Sequence, residues 1–205
     1  MFWDNVAWVY DVFANVINRG ANKKLCNTVA ALIQPTDEVL ECACGTGLLT
    51  GVMAKRCKSL TATDFSLNML RYAERKYGKY GNISFAQGNI LQLDYPDERF
   101  DAVVAANVIH LLDEPYKALS ELDRVCRRGG RIIIPTYMNR TEKGRTNSVS
   151  GAIGKAGADF KREFTLDTYK EFFAAAGYTE AAYTLCEGKI PCAVAVLKKQ
   201  GGEER

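Results

Sequence analysis

Short apolar runs alternate with amphipathic stretches through the middle of the sequence, and the first run empties into Gly45-Thr46-Gly47. Val39–Ala43 is that run; further β-rich segments lie at 59–64, 82–87, 100–106 and 131–137. The segment at 100–106 is apolar almost without interruption, as a strand buried on both faces must be. Between these runs the spacing predicts helices over 48–56, over 67–77 behind an N-capping Ser66, and from Asp113-Pro115 to Gly129-Gly130. Strands alternating with helices imply parallel strands joined by right-handed crossovers, with helices on both faces.

The flanks complete the pattern. Val6, Val9, Tyr10, Phe13 and Ile17 share one helical face, and Leu25, Val29, Leu32 and Ile33 share another, stopped by Pro35. Residues 138–163 lose all periodicity, and a connection that long is usually functional or disordered. A helix opened by Phe164-Thr165 follows, ended at Gly177, and then two strands at 178–185 and 191–197. The expected fold is α/β, a mostly parallel seven-stranded sheet with an antiparallel C-terminal strand. It forms a single domain over 1–199, with a helical cap at 1–35, a substrate-side loop or lid at 138–163 and a disordered tail at 200–205.

Composition narrows the function classes. With 205 residues, 47% hydrophobic and 25% charged, the chain suits one globular domain. A net charge of +3 with interspersed signs gives no reason to expect a nucleic-acid partner. None of the seven cysteines forms a Cys-x-x-Cys pair, so neither a disulfide framework nor a metal site is expected. With no signal-like N-terminus and no apolar run of membrane-spanning length, the expected location is the cytoplasm.

In sheets of this type, ligands bind beyond the carboxyl ends of the strands. A dinucleotide fingerprint needs a third small residue at position 50, where Thr50 stands. Glu41, next to the turn, would repel a pyrophosphate and suits an ammonium group. S-adenosylmethionine carries an ammonium, a carboxylate and a sulfonium, and no phosphate. Asp64 ends the second strand 17 residues after Gly47, near the offset at which an acid accepts from ribose hydroxyls. Asn89 and Ile90 after the third strand offer an edge and a face to adenine, and Asn107 follows the fourth.

These segments resemble the class I S-adenosylmethionine-dependent methyltransferases, specifically the UbiE/COQ5-like small-molecule group with its Rossmann-like fold. Val39-Leu40-Glu41-Cys42-Ala43-Cys44-Gly45-Thr46-Gly47 looks like that group's first motif and Asp64-Phe65-Ser66-x-x-Met69-Leu70 its second. Gly88-Asn89-Ile90 and Phe100-Asp101-Ala102-Val103 match the third and fourth, and Gly129-Gly130-Arg131 and Ala176-Gly177-Tyr178 match later landmarks. The resemblance implies S-adenosylmethionine as cofactor. Glu41, Ala43, Gly45 and Gly47 would line its methionine end and Asp64 would take the ribose diol. Phe65 and Met69 would border the adenine, Asn89 and Ile90 would hold its edge and face, Asn107 would lie near the amino-acid portion, and Tyr10 would close over it. Asn89 departs from the aspartate common there.

Methyl transfer is an in-line displacement at carbon, so alignment and dryness matter most. A base is needed only for a nucleophile protonated at neutral pH. The candidates are His110, the only histidine, and Tyr137 at the end of the fifth strand. The expected acceptor is a planar or apolar small molecule or a lipid amine headgroup, its atom unassigned. Asn107 is followed by Val108-Ile109-His110 rather than Pro-Pro-Tyr, which disfavours a base-amino substrate. The competing readings are a non-catalytic cofactor binder, an arsenite methyltransferase using cysteines, and an NAD-dependent oxidoreductase.

Overall fold

The structure, a computed structural model, describes residues 18–142, 145–147 and 161–199. Tyr10 with the rest of the first predicted helix, most of the 138–163 segment and the 200–205 tail lie outside the described residues.

Seven strands form one sheet: β1 (Glu38–Cys42), β2 (Ser59–Asp64), β3 (Ile83–Gln87), β4 (Phe100–Ala105), β5 (Cys126–Tyr137), β8 (Ala182–Cys186) and β9 (Cys192–Lys198). Their spatial order is β3-β2-β1-β4-β5-β9-β8. The pairs from β3 to β5 are parallel, while β9 runs antiparallel to both β5 and β8. A separate two-stranded ribbon pairs β6 (Arg140–Glu142) with β7 (Arg145–Asn147), inside the segment whose sequence has no periodicity.

Side chains of the central strands alternate between two cores, as a pleated sheet requires. Leu40, Val103, Ile132, Ile134 and Ala195 point to one face; Val39, Ala102, Val104, Ile133 and Val194 point to the other. The first face is covered by α4 (Pro115–Val125) and α5 (Leu166–Ala175), through Leu119, Leu122, Val125, Tyr169 and Phe173. The second is covered by α1 (Arg19–Leu32) and α2 (Thr50–Met53), with Leu25, Val29, Leu49 and Met53 buried. α3 (Leu67–Tyr77) adjoins α2 and packs on β2 and β3. Ser66 caps α3 as expected, accepting from the Met69 amide at 3.2 Å. Thr165 and Thr168 close a capping box on α5.

Three expectations about element bounds change. The helix after the glycine turn spans only Thr50–Met53, since Leu48 and Leu49 still belong to the turn. α4 stops at Val125, and β5 starts at Cys126 rather than Arg131, running through Gly129-Gly130 with a register shift against β4. Gly129 has φ +70°, so the glycines bend a strand rather than end a helix. The last hairpin begins at Ala182 rather than Tyr178.

Asn18 fixes where α1 meets this hairpin. Its side chain donates to the Ile190 carbonyl (2.9 Å) and accepts from the Ile190 amide (3.1 Å), pairing both backbone groups of one residue. Cys192 pairs with Tyr137 at the carboxyl end of β5, so this anchor lies at the same sheet edge as the carboxyl ends of the parallel strands.

Candidate functional site

β1 pairs with β2 on one side and β4 on the other, so the chain order reverses there and the connections leave toward opposite faces. The opening holds a cavity of about 380 Å³. Glu41, Ala43 and Gly45 of the first strand end line it, with Asp64, Phe65 and Met69 of the second. Asn89 and Ile90 join from the loop after β3, and Asn107 from the end of β4. Nine sequence-predicted cofactor residues thus meet in one space. Gly47 does not line it.

The turn is built on unusual backbone. Ala43 and Gly45 both have positive φ (53° and 56°), and the Gly47 amide closes back onto the Cys44 carbonyl at 3.0 Å. A Cβ on Gly45 would meet nothing within 4 Å, so bare backbone faces open space. Asp64 ties this turn to the next. One carboxylate oxygen accepts from the Gly45 amide and the other from the Ser66 amide, both at 2.8 Å. A carboxylate oxygen accepts more than one hydrogen bond, the acceptor chemistry that a ribose diol needs.

Glu41 lies deeper than its sequence position suggests. Rather than standing at the rim, it is 2% exposed. The Thr50 hydroxyl donates to its Oε2 at 2.6 Å. Burial, the largest cause, lifts its carboxyl from the usual 4.5 to about 8; Asp64 adds to the rise and the Thr50 bond opposes it. Thr50, which in the sequence only argues against a dinucleotide, is therefore the direct partner of the key acid.

Asn89 is partly committed to the fold: its side-chain oxygen accepts from the Leu91 amide at 3.0 Å, an Asx turn that shapes the loop. Arg124 on α4 pins the following stretch. Its guanidinium donates to the carbonyls of Leu93 (2.9 Å) and Tyr95 (2.7 Å) and pairs with Glu121, which also accepts from the Leu93 amide. Removing this clamp in Arg124→Ala should lower stability by about 1–2 kcal/mol, discounted for partial exposure. Thermal unfolding should register a drop of a few degrees; an unchanged melting temperature would show that the loop holds without it.

The two candidate bases are not brought to the cavity. Burial lowers the His110 pKa to about 4, so its ring is neutral at ordinary pH. The 3₁₀ turn Ile109–Leu111 buries its side chain, while its carbonyl accepts from the amides of Lys161 and Arg162. Tyr137 is buried in the core on the α1 side of the sheet. The sequence reading passed over an apolar wall instead: Leu91, Val108, Leu111 and Leu112 extend the lining beyond Ile90.

The donor set suits S-adenosylmethionine. Two acids and exposed backbone line the cavity, and among its described lining residues none is a lysine or arginine, as a pyrophosphate would need. Among the described residues no group of three His, Cys, Asp or Glu side chains is placed to hold a metal ion. No described helix is long and apolar enough to cross a membrane.

Known proteins agree with this geometry. Residues 40–134 match a family model described as a methyltransferase domain. The chain is 32% identical over 150 residues to a phosphatidylethanolamine N-methyltransferase of Cereibacter sphaeroides, covering 72% of this chain and 71% of that protein. It is 36% identical over 139 residues to the ubiquinone/menaquinone biosynthesis C-methyltransferase UbiE of Bdellovibrio bacteriovorus, covering 64% of this chain but only 58% of that protein. Among solved structures, an S-adenosylmethionine-dependent methyltransferase of Thermotoga maritima, titled a possible histamine N-methyltransferase, superposes with a TM-score of 0.74. It shares 18% identity over 97% of this chain and 99% of that one, a likeness of fold. Taken with the cavity between Glu41 and Asp64, these matches show that the chain belongs to the class I S-adenosylmethionine-dependent methyltransferases of the UbiE-like group.

Proposed function

We propose that this methyltransferase acts on a lipophilic small molecule, one whose reactive group is carried on a long apolar body. The observation behind this reading is the apolar wall of Leu91, Val108, Leu111 and Leu112, continuous with the acid-lined end of the same cavity. The two relatives named above are called after a phospholipid and after quinones, both lipophilic acceptors.

The cofactor, when bound, supplies a methyl group on a sulfonium that departs as a neutral thioether. In this reading Glu41 faces the ammonium, the Gly45 backbone lies against the amino-acid end, and Asp64 holds the ribose. Phe65, Met69 and Ile90 enclose the adenine. The leucine-rich wall excludes water and orients the acceptor along the displacement axis, which is the main demand of the reaction.

The test supplies the protein with methyl-labelled cofactor and either a total lipid extract or a water-soluble metabolite pool. Label should appear in the organic phase and identify the acceptor by a mass gain of one methyl group. Label confined to water-soluble products would overturn the lipophilic assignment while leaving the family intact.

A further inference from the structure

Two glycines near the cofactor turn leave room for something other than the cofactor. A Cβ on Gly47 would lie 2.6 Å from Cε2 of Tyr77, and one on Gly51 would come closer still to Cε1 of the same ring. Both distances fall far inside van der Waals contact. The ring of Tyr77, the last residue of α3, therefore fills the space that side chains at both ends of the segment 47–51 would need. Gly51 sits inside α2, where glycine is less favourable than alanine by about 1 kcal/mol. The ring is the physical reason for a glycine there.

Between the two glycines stands Thr50, the donor to Glu41 Oε2. The contacts run in sequence: the Tyr77 ring, the glycine pair, the Thr50 hydroxyl, and the Glu41 carboxyl in the cavity. We propose that Tyr77 is a positioning residue for the cofactor site, a wedge from α3 that sets the height of the 47–51 segment and so the Thr50–Glu41 contact. The inference accounts for Gly47, which the family resemblance assigns to the cofactor and which the structure places outside the cavity lining.

The test is calorimetry with S-adenosylhomocysteine across pH, alongside thermal unfolding, on Tyr77→Ala, Tyr77→Leu, Tyr77→Phe, Gly51→Ala and the double variant Gly51→Ala/Tyr77→Ala. Tyr77→Ala and Gly51→Ala should each weaken binding. The double variant should bind at least about threefold better than the product of the single effects, because the new methyl then has space. Tyr77→Phe, which keeps the ring, should restore binding. Losing the wedge should also loosen the Thr50 donor, which holds the Glu41 pKa down against burial. The pH at which binding reaches its plateau should therefore move upward in Tyr77→Ala, and in Thr50→Val likewise. Tyr77→Leu fills part of the space and keeps the test open if the alanine variant fails to fold. A wedge that merely packs would lower the melting temperature and leave both affinity and the pH plateau where they were; that outcome, or additive effects in the double variant, would overturn the proposal.

Discussion

Asp64→Ala should weaken S-adenosylhomocysteine binding by roughly 1–3 kcal/mol, about 5- to 150-fold. The carboxylate does two jobs at once. It holds the Gly45 and Ser66 amides at 2.8 Å, bracing the turn after β1 and the start of α3. In the proposed complex it also accepts from the ribose hydroxyls. Deletion leaves two amides without their charged acceptor and removes the ribose contact. Asp64→Asn keeps one oxygen and the side-chain volume, so its loss should be smaller. Calorimetry on the three proteins checks the ranking; equal affinity across them would mean that the ribose is held elsewhere and the turn stands unaided.

The second large effect is a pH dependence carried by Glu41. Its pKa is lifted in the folded chain from 4.5 to about 8. Over that interval the folded state holds a proton that the unfolded state has released, so stability falls as pH rises, by about 1.4 kcal/mol per pH unit. His110 acts with the opposite sign: its pKa is lowered from 6.5 to about 4, so its contribution is lost as pH falls through that range. Below 6.5 the two slopes offset each other; from 6.5 to 8 the Glu41 slope has no such opposition. The surrounding thiols of Cys26, Cys42 and Cys44 are all pushed upward from 9.0, away from this window. The ligand-free protein should therefore lose melting temperature between pH 6.5 and 8, and Glu41→Gln should lose less. A cationic ligand beside Glu41 favours its ionised form, so binding should release a proton in the same window. Affinity should rise with pH and level off near 8. Parallel curves for wild type and Glu41→Gln would show that the carboxyl does not titrate there.

The sequence and the structure agree most closely where local chemistry dictates geometry. The short run Val39–Cys42 ahead of Gly45-Thr46-Gly47 reads as a buried strand and is one, and the positive φ at Gly45 suits the residue that stands there. Asp64 at the end of β2 and Ser66 as a cap are likewise local features. Orientation across the sheet is harder to read. A strand apolar on both faces carries no alternation, so nothing in Val39-Leu40-Glu41-Cys42 tells that Glu41 points under α2 toward Thr50. His110 follows the fourth strand at a suggestive distance, but the 3₁₀ turn at 109–111 has no sequence period and rotates it into the core. The same turn presents Leu111 to the cavity, which is why the apolar wall escaped the motif reading. Tyr77 is invisible for a different reason: its role depends on the absence of side chains at Gly47 and Gly51, which only three-dimensional proximity reveals.

The most direct measurement is calorimetry of the unmodified protein with S-adenosylhomocysteine and, separately, with NAD. One molecule of S-adenosylhomocysteine per chain, with a proton release between pH 6.5 and 8 that is smaller in Glu41→Gln, and no heat from NAD, is the predicted result. Binding of NAD with none of S-adenosylhomocysteine would contradict the assignment of a phosphate-free cationic nucleoside to the cavity between Glu41 and Asp64.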